Sequence, residues 1–287
     1  MWFSAPKTLG YALGSGAARG IAHVGVLKAL LAEGLAPDVV TGTSMGAVVG
    51  AMYAAGLSPD EIERIAAGFD MKSIFSLVDM TIRGGALLSG EKVEEFLAAH
   101  LPATFEELRI PFACVSTDLA RGERNVHTSG DLIHAVRASL SIPMVFMPIR
   151  DGKRILVDGF LTDPIPVSLA RRLGAKVVVA VDVSGAGRLQ ASDGGGDDGG
   201  LLKDLRSALK GEGPRARGTS GLEVAAATFE VLERQVAQPA LAEADFVVSP
   251  KVHDFAGYQF LAVDQLVQLG EQAGIASAAR IRKLAHR

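Results

Sequence analysis

The 287-residue chain predicts an α/β protein, a three-layer sandwich with a mainly parallel central sheet and helices on both faces. Three observations carry that prediction. Short β-rich runs alternate along the chain with segments of helical periodicity. The run Val177-Val178-Val179-Ala180-Val181 is apolar at every position, the pattern of a strand covered by helices on each side. Two glycine-rich turns each stand between a strand and a helix.

Taken in order, strands are expected at Thr8–Leu13, Asp38–Thr41, Phe112–Thr117, Arg154–Val157, Lys176–Val183 and Asp245–Ser249. After the first, Ile21, Val24, Leu27 and Leu31 share one face of a helix, and Gly34 stands where the chain leaves it. A second helix is expected over Ala47–Ala55. Ser58-Pro59-Asp60-Glu61 then supplies an N-cap, a proline in the first turn and a capping-box glutamate. Residues Ser184 to Gly200 hold Asp193-Gly-Gly-Gly-Asp-Asp-Gly-Gly and too few apolar groups to offset the entropy of ordering them. The chain therefore reads as one domain over 1–287 with a flexible Gly/Asp-rich insertion around 184–220, carrying a short helix at Leu201–Leu209. The aspartates of the insertion lack the regular ligand spacing of a calcium loop.

Composition excludes several classes. Apolar residues make up 48% and charged residues 21%, so whole-chain disorder is excluded, and the single cysteine, Cys114, excludes an intrachain disulfide. Lys plus Arg number 29 against 32 Asp plus Glu, a net charge of −3 that argues against a nucleic-acid partner held by global charge. Met1 to Lys7 lacks the pattern of a secretory signal, and a cytoplasmic setting is expected. Val39 to Pro59 carries no charge and has the length of a membrane span, but Gly42, Gly46, Gly50 and Gly56 with Thr41, Thr43 and Ser44 divide it into a strand, a tight turn and a buried helix.

The first glycine-rich turn is Gly14-Ser15-Gly16-Ala17-Ala18-Arg19-Gly20. Small residues there let a ligand approach backbone N–H groups, and the following helix adds a partial positive charge, so the turn suits a phosphate or an oxyanion. A dinucleotide fingerprint would need glycine where Arg19 stands, and a Walker loop would need a Gly-Lys-Ser/Thr that is missing. The turn alone leaves anion site and structural turn both open. The second turn, Gly42-Thr43-Ser44-Met45-Gly46, is Gly-x-Ser-x-Gly between a strand and a helix, the context of a nucleophile elbow. A serine hydroxyl needs a base. No later histidine has an acidic partner in a site-like turn; His253-Asp254 falls in a surface loop. Asp158, where Arg154–Val157 runs into a turn at Gly159, is the better candidate.

These residues together resemble the patatin-like phospholipase family, in particular its compact bacterial members. The likeness runs through Leu13–Leu31, Gly42–Gly46, Thr117-Asp118-Leu119-Ala120-Arg121-Gly122-Glu123, Ala138–Pro148, Asp158-Gly159, Pro164-Ile165-Pro166-Val167 and a late Asp245–Pro250 segment that leads into a C-terminal helix. The resemblance implies a serine–aspartate dyad without a catalytic histidine: Ser44 as nucleophile and Asp158 as base. It further implies an oxyanion hole from the backbone N–H groups around Ser15, Gly16 and Ala17, with Arg19 bracing that loop or attracting an anionic head group. The chain departs from the family pattern at Ser15 and Ala17, where glycines are usual, and at Phe160, where a small residue follows Asp-Gly. The implied activity is hydrolysis of lipid acyl esters, of phospholipase A or lysophospholipase type, through an acyl-enzyme and without metal or organic cofactor. A thioesterase or short-chain carboxylesterase is the near alternative, and a non-catalytic binding module that keeps the fold is the alternative from another class; nucleotide binding at Gly14–Gly20 is a third. The implied partner is a lipid or other acyl-ester substrate. Two apolar segments, Ile74–Val78 with Met71 and Met80, and Met144–Met147, together with a basic C-terminal end (Arg280, Arg282, Lys283, Arg287), are expected to favour peripheral membrane contact. Oligomeric state is left open.

Overall fold

The computed structural model describes residues 8–68, 80–81, 87–88, 90–184, 221–257 and 259–286. The Asp193 cluster, the helix expected at Leu201–Leu209, the Ile74–Val78 stripe and Arg287 lie outside the described residues. The strands are β1 (Leu9–Leu13), β2 (Val39–Thr43), a small hairpin of β3 (Met80–Thr81) and β4 (Leu87–Leu88), β5 (Phe112–Asp118), β6 (Glu123–His127), β7 (Ile149–Asp151), β8 (Arg154–Asp158), β9 (Val177–Val181) and β10 (Phe246–Val248). The helices are α1 (Ala22–Ala32), α2 (Met45–Ala55), α3 (Pro59–Ala67), α4 (Glu91–His100), α5 (Leu132–Ser139), α6 (Val167–Arg172), α7 (Gly221–Glu243) and α8 (Val263–Ala285).

An eight-stranded sheet runs in the order β10-β9-β1-β2-β5-β8-β7, with β6 also on β5. Strands β10, β9, β1, β2 and β5 are parallel, and β6, β7 and β8 add antiparallel pairs. The pleat divides the side chains of the central strands between two cores. Leu9, Tyr11, Leu13, Val177, Val179 and Val181 join Val24, Leu27, Leu30, Leu266 and Val267 of α1 and α8 on one face. Ala12, Val178 and Ala180 face Val167 and Ala170 of α6 and Ala237 of α7 on the other. That alternation is why these strands are apolar throughout.

The helix expected from Ile21 begins earlier, as a 3-10 turn at Ala17–Ile21 that continues into α1. The capping box at Ser58 and Glu61 forms at the start of α3. The uncharged stretch Val39–Pro59 is β2, an elbow, α2 and the first turn of α3, and no helix among the described residues is long and apolar enough to cross a membrane. Helix α7 was not expected; its sequence shows no strong apolar stripe, and Pro239 stands inside it.

Glycines set the crossing of α1 over α8. A Cβ on Gly25 would lie 1.9 Å from the Val267 carbonyl oxygen, and one on Gly270 would lie 2.0 Å from that of Ala22. Helix backbones in such contact have no room for a methyl group. Gly25→Ala and Gly270→Ala are each expected to lower stability by about 1–3 kcal/mol, the usual cost of forcing atoms into a filled core, measured by chemical denaturation; an unchanged midpoint would refute the close crossing.

Candidate active site

The sheet itself brings the two candidate side chains together. On one edge of β5, β2 pairs in parallel from Val40↔Phe112 to Thr43↔Val115. Strand β6 pairs with Cys114–Asp118 and so occupies the opposite edge. Strand β8, antiparallel from Ser116↔Asp158 to Asp118↔Leu156, must therefore share the β2 edge. The two strands approach head to head, and the residue after β2 meets the last residue of β8. Those residues are Ser44 and Asp158, and Ser44 Oγ donates to Asp158 Oδ2 at 2.6 Å.

Ser44 sits at φ 57°, ψ −125°, outside the regions an L-residue favours, at a cost of about 1–3 kcal/mol. The flanking glycines permit the turn: a Cβ on Gly42 would lie 2.3 Å from the Gly46 carbonyl oxygen, and one on Gly46 would lie 2.2 Å from that of Leu13. The end of α5 grips both members of the pair. Ser44 N–H donates to Ser139 Oγ at 2.9 Å, and Asp158 N–H donates to the Ser141 carbonyl at 2.9 Å. Arg137 Nη1 in turn donates to Ser141 Oγ at 2.7 Å. Nothing in the spacing of Arg137, Ser139 and Ser141 marks them in the sequence as supports.

Asp158 is fully buried, and its other oxygen accepts the Phe160 N–H at 3.0 Å. Burial pushes its carboxyl up to about 7; hydrogen bonds from Ser44 and Phe160 oppose the rise, and the nearby charge of Glu233 adds to it. A Cβ on Gly159 would lie 2.3 Å from the Val115 carbonyl oxygen, and the Phe160 ring stands edge-on to Phe229 of α7 with centroids 5.6 Å apart. Phe160 is thus a packing contact to a helix.

The first glycine turn lies between the ends of β1 and β9. Gly14 N–H donates to the Val181 carbonyl at 3.0 Å, and His23 Nε2 donates to the Gly14 carbonyl at 2.8 Å. Burial lowers His23 to about 4, so this imidazole is neutral and carries its proton on Nε2. Of the three amides expected to form an oxyanion hole, that of Ser15 is taken by the Pro164 carbonyl at 2.9 Å. The N–H groups of Gly16 and Ala17 have no hydrogen-bond partner among the described residues. Ala17 holds φ 49°, so the usual glycine there is replaced at a left-handed position. Arg19 is buried and donates to Glu230 at 3.0 Å and to the Phe255 carbonyl at 3.3 Å, contacts that brace the turn. Gly20 leaves room for Met45, the residue after the serine. His253 is half exposed, 3.7 Å from Asp254, and Ser44 has its hydroxyl on Asp158 instead. No cluster of metal-binding side chains occurs among the described residues.

The fold and this elbow define an α/β sandwich that carries a strained serine between a parallel strand and a helix. The chain belongs to the patatin-like phospholipase family, whose model matches residues 11–171, more than half of its length. It is 35% identical over 186 residues to a patatin-like phospholipase domain-containing protein of Caenorhabditis elegans, a match that covers 62% of this chain and 14% of that one. It is 30% identical over 181 residues to a lysophospholipase of Pyricularia oryzae, covering 62% and 12%. Among solved structures, VipD from Legionella pneumophila superposes with a TM-score of 0.57 at 15% identity, over 98% of this chain and 68% of that one, and shares the fold. The chain spans about half the length or less of the curated relatives it matches first.

The raised Asp158 carboxyl links stability to pH. Its folded value of about 7 exceeds the ordinary value of 3.8, so its contribution to stability is complete below pH 4 and is lost as pH rises through 7. Asp158→Asn is expected to gain stability over the wild type progressively between pH 4 and 7, by on the order of a few kcal/mol, and to hold that margin above pH 7. Thermal melts across this range test it; a margin independent of pH would contradict the assignment.

Proposed function

We propose that the chain is a serine hydrolase of lipid acyl esters, of phospholipase A or lysophospholipase type, working through Ser44 and Asp158. The observation that carries this reading is the 2.6 Å hydrogen bond from Ser44 Oγ to Asp158 Oδ2 at a strained elbow. Family membership supports the substrate class. In the proposed reaction the ester carbonyl lies against the first glycine turn with its oxygen toward the N–H groups of Gly16 and Ala17. Ser44 Oγ attacks the carbonyl carbon and gives its proton to Asp158. Collapse of the tetrahedral intermediate expels the alcohol, which takes that proton, and leaves an acyl-enzyme on Ser44. Water then attacks the acyl carbon, again losing a proton to Asp158, and the fatty acid leaves as Ser44 regains its hydrogen.

Burial supports this chemistry on two counts. It raises the proton affinity of Asp158 well above that of a solvated carboxylate, which a base for an alcohol requires. It also strengthens the pull of the two amides on a developing oxyanion, each such donor being worth ~10²–10³ in rate.

We also read the segment after Ser141 as a lipid-facing rim. Met144, Val145 and Met147 are exposed, with Met144 at φ 70°, and Ser141 itself is bonded to the backbone of Asp158. At the basic C-terminal end, Arg282 pairs with Glu33, and the Arg280 guanidinium lies over the Phe246 ring.

Ser44→Ala is expected to remove phospholipid and lysophospholipid hydrolysis, by ~10³-fold or more, while the melting temperature stays within a few degrees; retained turnover would reject the reading. For the wild type, kcat/KM is expected to rise with pH through about 7 as Asp158 loses its proton. Replacing Met144 and Met147 together by serine is expected to weaken co-sedimentation with phosphatidylcholine vesicles, with turnover of a short soluble ester unchanged; equal sedimentation would contradict the rim.

A further inference from the structure

Helix α7 lays one face across the site. Phe229, Glu230 and Glu233 fall at helical spacing and touch, in turn, Phe160, Arg19 and Ser15. The last contact is the unusual one. The Ser15 hydroxyl donates to Glu233 Oε1, and the same hydroxyl lies 3.4 Å from the Pro164 carbonyl. Glu233 is 7% exposed. A carboxyl group removed from water in this way costs several kcal/mol unless its partners restore the loss. A leucine or glutamine on α7 would fill the same volume at lower cost, so packing alone does not account for an acid here.

Two features of the site do account for it. The first is Ser15, at a position where small residues otherwise line the turn. Its backbone N–H is tied to Pro164, so the side chain is what connects this end of the turn to α7, next to the N–H groups of Gly16 and Ala17, which have no partner among the described residues. The second is the field at Asp158. The charged and titratable groups that face Glu233 are Arg19 on the 3-10 turn, Glu230 on its own helix, Asp182 after β9 and Asp158 after β8. Burial raises the Glu233 carboxyl above the ordinary range; the Ser15 hydroxyl and Arg19 oppose the rise, and Glu230 and Asp182 add to it, while Glu233 in turn adds to the rise at Asp158. Those facing Asp158 are the Ser44 hydroxyl, the N–H groups of Phe160 and Gly159, and Glu233. Glu233 is the one acid among them.

We propose that Glu233 is a positioning residue for ester cleavage, fixing the anion turn through Ser15 Oγ and setting the negative field at the Asp158 carboxylate from across the site. It touches neither substrate nor the reacting atoms. It acts through Ser15 on the amides that receive the oxyanion, and through space on the base that receives the Ser44 proton. The inference rests on the ester-hydrolase reading given above.

The test is the pH profile of kcat and KM for a short-chain p-nitrophenyl ester with the wild type, Glu233→Gln and Ser15→Ala. Glutamine keeps the shape of the side chain and an acceptor for Ser15 while removing the charge. Glu233→Gln is expected to move the midpoint of the acid limb of kcat/KM to lower pH, by about half a unit or more, because a negative charge that held the proton on Asp158 is gone. Ser15→Ala keeps the charge and removes the tether. It is expected to lower kcat about tenfold with KM little changed, as for an interaction made chiefly in the transition state, and to leave the midpoint within about a tenth of a unit. A residue that only supports the fold would lower activity and melting temperature together without moving the midpoint. A wild-type midpoint in Glu233→Gln overturns the field, and a wild-type kcat in Ser15→Ala overturns the tether. If Glu233→Gln does not fold, the charge-conserving Glu233→Asp takes its place: an unshifted midpoint with lowered kcat is expected, and wild-type kcat overturns the tether. Absence of turnover in the wild-type chain is a different outcome, which removes the hydrolase reading itself and this inference with it.

Discussion

Strand β5 carries two partners on one edge, and the site depends on that constraint. Strand β2 runs along the first half and β8 against the second, so their ends face each other where Val115 passes to Ser116. A parallel strand ends at its carboxyl edge in a turn that opens a helix, which is where a strained serine can be exposed to chemistry. An antiparallel strand arriving from the opposite direction delivers its own last residue to the same point. No loop has to find the serine. The register of three strands places the carboxylate there, and the 2.6 Å hydrogen bond follows from it.

What surrounds the pair limits its freedom. Ser139, the last residue of α5, and Ser141, just beyond it, take the backbone N–H groups of Ser44 and Asp158, so the two cannot separate without breaking buried hydrogen bonds. The first glycine turn is pinned as firmly: Gly14 between Val181 and His23, Ser15 between Pro164 and Glu233, Arg19 against Glu230 and Phe255. Among the described residues, the N–H groups of Gly16 and Ala17 are left without a partner. A donor pair held in place before any ligand arrives needs no reorganisation when charge develops in front of it, which is the condition for electrostatic catalysis.

The fold was legible because its signals are local. Apolar alternation, glycine turns and a capping box mark strands, elbows and helix starts within a few residues, and the six expected strands are found with ends shifted by a residue or two, whereas β6, β7 and α7 carry no such signal. Ser44 was legible from Gly-x-Ser-x-Gly in its strand–turn–helix setting, and Asp158 from a strand running into Asp-Gly, with the likeness to a known family joining the two. The rest was not, for a physical reason. Ser139 and Glu233 make their contacts with residues far away in the chain, Ser139 with Ser44 across 95 positions and Glu233 with Ser15 across 218. A serine in a helix end or a glutamate in an amphipathic helix looks the same in sequence whether it faces water or a buried partner. The occupied amide of Ser15 was illegible for the same reason, since its acceptor, Pro164, is set by the packing of a distant loop.

The central claim is that Asp158 makes Ser44 a nucleophile, and the reaction of a fluorophosphonate with the protein tests it without any assumption about the natural substrate. Intact-mass and peptide mapping of the wild type are predicted to give one adduct, on Ser44, and Asp158→Asn is predicted to slow that labelling by ~10²-fold or more while remaining folded. Labelling of Asp158→Asn at the wild-type rate, or an adduct on any other residue, would contradict the account.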